Sequence, residues 1–247
     1  MSIAKRGFGG TVRVVAARVL DRAKEFGTRT RRKNVIEGDA EWYGTDRDAP
    51  DTFDLKYKID TGGAIRLAEL DLDCETWVYG NSYQPTGGAN FAQLWQGLEL
   101  PYEEFTFIDI GSGKGRPVLL AAGFPFRRII GVEFSRELHS VAEKNLRRFP
   151  DEAKKCKDIQ LVCMDATQYP LPQEPLVLYL ADPFARPVMV RFIESLNESF
   201  QRRPRRIVVL YVAPKSPDLW DGVAFLKKVK ATQSLFVYDT LEMVSGA

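Results

Sequence analysis

The stretch FTFIDIGSGKG, residues 105–115, decides the fold: a short apolar run ends in an acid and is followed by three glycines spaced two apart. Phe105, Phe107, Ile108 and Ile110 give the nearly continuous apolar segment of a strand covered on both faces. Gly111, Gly113 and Gly115 permit positive φ and let the backbone approach a ligand with no Cβ in the way. Arg116 to Ala122 reads as a helix, with Pro117 in its first turn, where a missing N–H costs little. A strand, a glycine turn and a helix N-terminus together suit a carboxylate or a nucleotide.

Two glycine motifs fail on spacing. A dinucleotide fingerprint beginning at Gly111 needs a small residue where Arg116 stands, which disfavours a nicotinamide-dependent oxidoreductase. A phosphate loop ending at Gly113-Lys114 needs Gly at 108 and Ser or Thr at 115, and meets Ile108 and Gly115.

Outward from this turn the α/β alternation is regular. Arg128 to Glu133 is a second strand ending in an acid, and Ser135 to Phe149 a helix capped by Ser135, with Leu138, Val141, Ala142, Asn145 and Leu146 along one stripe. Ile159 to Cys163 is a third strand, leading into Met164-Asp165-Ala166. Leu176 to Ala181 is a fourth, ending in Asp182-Pro183-Phe184, and Pro187 to Phe200 is the next helix. Arg206 to Val212 is a fifth strand. Val223 to Val244 supplies a closing antiparallel hairpin, unless Leu219 to Lys228 is a helix instead. The pattern predicts an α/β chain: a Rossmann-like, doubly wound, mostly parallel seven-stranded sheet with helices on both faces, preceded by an N-terminal helical and aromatic extension.

The extension has two parts. Residues 1–50 comprise a basic amphipathic helix over Thr11 to Phe26 and a polar, turn-rich linker from Asn34. Residues 1–33 hold ten Lys or Arg against two acids, a net +8, so the remainder carries −6 within the overall +2. Such a helix can lie on anionic lipid or RNA, or pack on the core with its basic face solvated; the last is the simpler expectation. Residues 51–100 are aromatic and irregular up to Gly88, including Tyr57, Trp77, Tyr79 and Tyr83, and read as a cap over the ligand site. A helix from Gly88 to Leu98 buries Phe91, Leu94 and Trp95.

Composition bounds the rest. The 247 residues, 45% hydrophobic, can bury one substantial core plus an appendage. No apolar run reaches the length of a membrane span, and the N-terminal apolar segment is broken by Arg13 and Arg18. Cys74, Cys156 and Cys163 form no C-x-x-C pair, which fits a reducing, cytoplasmic setting and argues against a zinc site. His139, the single histidine, lies inside a helix with no nucleophile spacing around it.

In a doubly wound sheet, ligands bind beyond the carboxyl ends of the strands, and here those ends present Asp109, Glu133, Asp165 and Asp182 in succession. Glu133 stands 18 residues after Gly115, where a carboxylate can accept from both hydroxyls of a ribose or, more plainly, cap the following helix.

The D-x-G-x-G-x-G pattern at the end of a strand resembles motif I of the class I S-adenosylmethionine-dependent methyltransferases. Together with Asp60-Thr61-Gly62, Tyr83-Gln84-Pro85-Thr86, FIDIGSGKGR and GVEFS, it resembles a group of bacterial methyltransferase-like proteins, over roughly residues 53–214. The resemblance implies S-adenosyl-L-methionine as cofactor, S-adenosyl-L-homocysteine as product, and residues 101–247 as the binding domain. It implies that Gly111, Ser112, Gly113, Gly115 and Phe134 contact the cofactor, that Asp109 orients the loop and the methionine end, and that Glu133 holds the ribose. Asp165 and Ala166 would take the adenine, with Met164 and Thr167 along the ring, and Tyr83 and Thr86 would close over the methionine part. Asp182-Pro183-Phe184 resembles the N/D-P-P-Y/F element of amino methyltransferases with one proline missing. Asp182 would orient the nucleophile or accept its proton, with Phe184 packed beside it, or the turn would only shape the pocket. The implied reaction is direct in-line transfer, without a metal, to an unidentified N or O acceptor on a small molecule or protein. The alternative is a non-catalytic cofactor-binding or scaffold protein acting through the basic N-terminal helix, with nucleic acid a candidate partner of residues 1–33.

Overall fold

A computed structural model describes residues 52–66, 69–70 and 80–240. The basic helix and linker expected within residues 1–50, Trp77 and Tyr79 of the cap, Cys74, and the last residues of the tail lie outside the described residues. The elements are α1 (Thr52–Tyr57), α2 (Gly88–Gln93), β1 (Thr106–Ile110), α3 (Arg116–Ala121), β2 (Arg128–Glu133), α4 (Arg136–Arg148), β3 (Ile159–Cys163), β4 (Leu176–Ala181), α5 (Arg186–Arg202), β5 (Ile207–Val212), α6 (Pro217–Asp221), β6 (Lys227–Ala231) and β7 (Leu235–Asp239).

The seven strands form one sheet in the order β3-β2-β1-β4-β5-β7-β6. Strands β1 to β5 pair in parallel, and β7 enters antiparallel between β5 and β6. Winding runs outward from β1 in one direction through β2 and β3, then in the other through β4 and β5. The crevice at that reversal, beyond the ends of β1 and β4, is where such sheets take ligands.

Side-chain alternation sorts the strands into two core layers, as the period of two demands. Phe107 of β1, Val177 and Tyr179 of β4, and Val208, Leu210 and Val212 of β5 share a layer with Phe91, Val118, Leu119 and Phe126. Ile108 and Ile110, Leu178 and Leu180, and Val209 and Tyr211 face the opposite layer with Met189, Phe192 and Leu196 of α5 and with Trp220 of α6. Every residue of β1 and β5 is buried, so these strands read as continuous apolar runs rather than as alternating ones.

Two local expectations change. The helix expected over 88–98 ends at Gln93, and the chain turns to Gly97 at φ 80°, a conformation glycine adopts freely. Phe91, Leu94 and Trp95 are buried all the same, with Trp95 edge-on to Phe91 and Tyr102 and 5.1 Å from Phe124. Residues 52–57, within a segment read as irregular, form α1, whose Phe53 and Tyr57 stack around Phe149 after α4. The tail forms the expected hairpin, β6–β7, rather than the alternative helix over 219–228; α6 ends at Asp221. Lys227, Lys228 and Lys230 charge the outer edge strand β6 and blunt it against further pairing.

Candidate cofactor and acceptor site

The loop between β1 and α3 is bent as its glycines predict. Gly111, Gly113 and Gly115 all have positive φ, at 81°, 52° and 85°. The Gly111 and Ser112 N–H groups both donate to the Val132 carbonyl, at 2.9 and 3.0 Å, so the loop folds over the end of β2. Close packing as well as torsion requires the glycines. A Cβ on Gly111 would lie 2.6 Å from Pro183 Cβ, and one on Gly113 would overlap the Tyr83 ring. Tyr83 and Pro183 therefore wall the loop.

Asp109 and Glu133 lie under this loop. In the ladders, Asp109 is flanked by Gly131 of β2 and Tyr179 of β4. It is 1% exposed, and among the described residues its Oδ2 has no hydrogen-bond partner. Burial, then the neighbouring Glu133 charge, pushes its carboxyl well above the usual aspartate range. Glu133 is equally buried and is also raised by burial, but its Oε2 accepts from Gly113 N and its Oε1 from Ser135 N, each at 2.8 Å. Those N–H groups oppose the desolvation and favour its ionised form, an offset that Asp109 Oδ2 lacks among the described residues. Ser112 Oγ is a second buried oxygen without a partner among the described residues.

Asp165 Oδ1 accepts from Thr167 N and Thr167 Oγ1, both at 2.8 Å, and so caps the short turn Ala166–Gln168. At the end of β4, Asp182 is buried with φ 45°, an unusual conformation for a side chain with a Cβ. Its Oδ1 accepts from Tyr211 OH at 3.0 Å, and its Oδ2 from Lys215 Nζ at 2.6 Å and Asn81 Nδ2 at 3.1 Å. Asn81 also donates from Nδ2 to the Asp182 carbonyl at 2.5 Å and from its backbone N–H to the Pro183 carbonyl at 3.2 Å. Tyr211 OH in turn accepts from Lys215 N and Ser216 N, at 3.2 and 3.3 Å, stitching the loops after β4 and β5 together. Burial, then the Asp182 charge, raises its phenol.

These groups border two adjoining pockets. The first is lined by Asp109, Gly111, Ser112, Gly113, Glu133 and Phe134 of the predicted set, with Tyr83, Thr86 and Asp182 opposite. The second is lined by Phe134, Met164, Asp165, Ala166 and Phe184. Gly111, Phe134 and Pro183 border both. The predicted residues thus gather at one place, except that Phe184 lies on the Asp165 side, away from Asp182's pocket, where it packs 6.1 Å from Phe192. Gly115 borders neither pocket; it is the N-cap of α3, and a Cβ there would meet Ala142 at 3.1 Å. Thr86 Oγ1 is 3.0 Å from Tyr179 OH. Sequence reasoning missed Asn81, Tyr179, Tyr211 and Lys215. Asn81 stands two residues before the quoted Tyr83 element and Tyr211 inside a strand read as plain core, so neither spacing nor charge signalled them.

The geometry fits the cofactor that the motif implies. Among the described residues two buried oxygens lack partners, the loop admits no Cβ at Gly111 or Gly113, and Gly111, Phe134 and Pro183 border both pockets, as a ligand with a polar end, a ribose and a purine would need. Residues 108–181 match a family model described as a methyltransferase domain. Over residues 108–181 the chain thus carries a methyltransferase domain of Rossmann-like fold. Among solved structures it is similar to a ribosomal protein L11 methylase from Lactobacillus delbrueckii subsp. bulgaricus (14% identity, 62% of this chain and 77% of that one, TM-score 0.43). It is also similar to a precorrin-6y C5,15-methyltransferase from Geobacter metallireducens (14% identity, 70% and 93%, TM-score 0.45). No curated protein matches the chain at a significant level. Among the described residues no helix is long and apolar enough to cross a membrane.

Proposed function

We propose that the protein transfers a methyl group from S-adenosylmethionine, directly and in line, to a nucleophilic N or O atom of an acceptor that enters beside Asp182. The observation that carries the reading is the unpartnered, buried Asp109 Oδ2 in a pocket floored by the glycine loop and walled by Glu133 and Tyr83. When bound, the cofactor supplies an electrophilic methyl on a sulfonium, so the protein's work is alignment and exclusion of water.

The residues divide that work. Asp109 and Ser112 meet the polar methionine end, Tyr83 and Thr86 cover it, and Gly111 and Gly113 shape the floor, with Gly115 behind them as the N-cap of α3. Glu133, held by two backbone N–H groups, keeps spare lone pairs for the ribose hydroxyls. Phe134, Asp165 and Ala166 border the adenine side. Asp182 accepts from three protein donors and orients the acceptor-side wall rather than taking a proton; Phe184 supports the adenine side of the same turn.

Isothermal titration with S-adenosylmethionine, S-adenosylhomocysteine and NAD tests the reading. Binding of the first two and not the third, weakened at least tenfold by Glu133→Ala, is the expected result. A folded protein that binds neither sulfur ligand overturns it.

A further inference from the structure

Lys114 and Arg116 sit in and just after the glycine loop, and both are buried, at 7% and 3% exposure. Two buried cations beside a ligand floor need a reason. Neither points to the pockets; both reach the segment 52–65, which lies some fifty residues earlier in the chain. Arg116 Nη2 pairs with Asp54 Oδ1 at 3.2 Å, its Nε donates to Thr61 Oγ1 at 2.7 Å and its Nη1 to the Thr86 carbonyl at 3.3 Å. The guanidinium also stacks over Phe53. Lys114 Nζ pairs with Asp60 Oδ1 at 2.7 Å and donates to the Gly62 carbonyl at 2.8 Å.

Asp54 closes the segment on itself: its Oδ2 accepts from Thr61 N at 2.7 Å and Gly62 N at 2.6 Å. Asn145 of α4 pins it from below, pairing with Asp60 N and Asp60 O at 2.9 and 2.7 Å and donating to the Lys114 carbonyl at 2.9 Å. The segment then holds Tyr83. The Tyr83 hydroxyl donates to the Thr61 carbonyl at 2.6 Å, and Ile65 and Tyr83 form an antiparallel bridge through two backbone hydrogen bonds, at 2.9 and 3.1 Å. The Tyr83 ring ends against Gly113.

We infer that Asp54, Lys114 and Arg116 are positioning residues: they latch the 52–65 strap onto the glycine loop, and the latched strap holds Tyr83 as the wall of the methionine end of the cofactor site. The inference rests on the cofactor reading above and extends it. It gives Asp60-Thr61-Gly62 a task, and it explains why an arginine stands where a dinucleotide fingerprint has a small residue: at the first turn of α3 its side chain reaches back to the strap. Because Tyr83 borders the pocket of Asp109 and not that of Asp165, the latch acts on one end of the ligand.

That one-sidedness sets the test. Asp54→Asn, Arg116→Met, the double variant and Tyr83→Phe are titrated with S-adenosylhomocysteine and with adenosine, which lacks the amino-acid end. Each latch variant is expected to weaken S-adenosylhomocysteine by roughly tenfold and adenosine by less than about threefold, with the double variant close to the worse single one, since the two side chains act as one unit. Tyr83→Phe keeps the ring and loses only the bond to Thr61; it is expected to show the same selective loss, about threefold, in a protein with a near-native melting temperature. Equal losses for both ligands, or S-adenosylhomocysteine binding unchanged in Tyr83→Phe, overturn the latch. Failure of the unsubstituted protein to bind S-adenosylhomocysteine instead overturns the cofactor reading beneath it.

Discussion

Asp109 is the residue on which function and stability oppose each other. A buried carboxyl whose folded pKa is raised binds its proton more tightly in the native state than in the unfolded one. Below its unfolded pKa, about 3.9, it is neutral in both states and costs nothing on this account; as pH rises above that value, the native state must either keep the proton or bury a charge, and stability falls. Asp109→Asn is therefore expected to melt at a higher temperature than the unsubstituted protein at pH 8, with the difference shrinking toward zero near pH 4. It should also bind S-adenosylmethionine at least tenfold more weakly, the usual exchange between a strained site and stability. A thermal melt at each pH, with and without ligand, checks both parts; a variant that melts lower at pH 8 would mean that Asp109 is held by donors and is not an orphaned acid. Gly113→Ala makes the complementary case. Its φ of 52° and the overlap with Tyr83 leave no place for a Cβ, so stability and S-adenosylhomocysteine affinity should fall together.

At the scale of elements, the ends of β4 and β5 behave as one unit. Asp182 and Ala213, the residues just past these strands, both have positive φ, at 45° and 47°, and Tyr211 OH ties the two turns by donating to Asp182 and accepting from Lys215 N and Ser216 N. Tyr211→Phe leaves the ring in its core layer but strands three partners, at a cost of about 1–3 kcal/mol by urea denaturation. It should lower methyl-transfer rate more than cofactor affinity if the acceptor enters beside Asp182 as proposed; loss of cofactor affinity alone would place the unit elsewhere in the mechanism. Most of the strands and the helices between them were legible in the sequence because they followed local rules, whereas α1 lay in a segment that reads as irregular. Phe107 to Ile110 is an apolar strand, Gly111 to Gly115 a turn, and Ser135 accepts from Leu138 N as a helix cap should. What local rules could not show is what ties distant segments. Asp54 meets Arg116 across 62 residues and Asn81 meets Asp182 across 101, and neither separation leaves a trace in periodicity or composition. Arg116 was visible only as the residue that spoiled a motif.

At the scale of the whole molecule, a bound cofactor stabilises the native state by an amount that rises with the logarithm of its affinity, since the unfolded chain has no site for it. At a free concentration of 100 times Kd the gain is about 2.7 kcal/mol, which for a chain of this size raises Tm by roughly 5–10 °C. Every predicted site residue lies between Tyr83 and Phe184, and the strap begins at Thr52, whereas the net +8 is confined to residues 1–33. A chain lacking residues 1–33 is therefore expected to show the same ligand-induced shift as the full chain, although its net charge falls from +2 to −6. The same pair of proteins separates the two tasks the chain has been given. If residues 1–33 engage RNA, retention by the full chain should fall steeply between 50 and 200 mM salt and vanish on truncation, because that affinity comes from released counterions and not from the folded site. A truncated chain that loses the thermal shift would instead make the basic segment part of the cofactor site, and equal retention of RNA by both chains would move any nucleic-acid surface onto the methyltransferase domain.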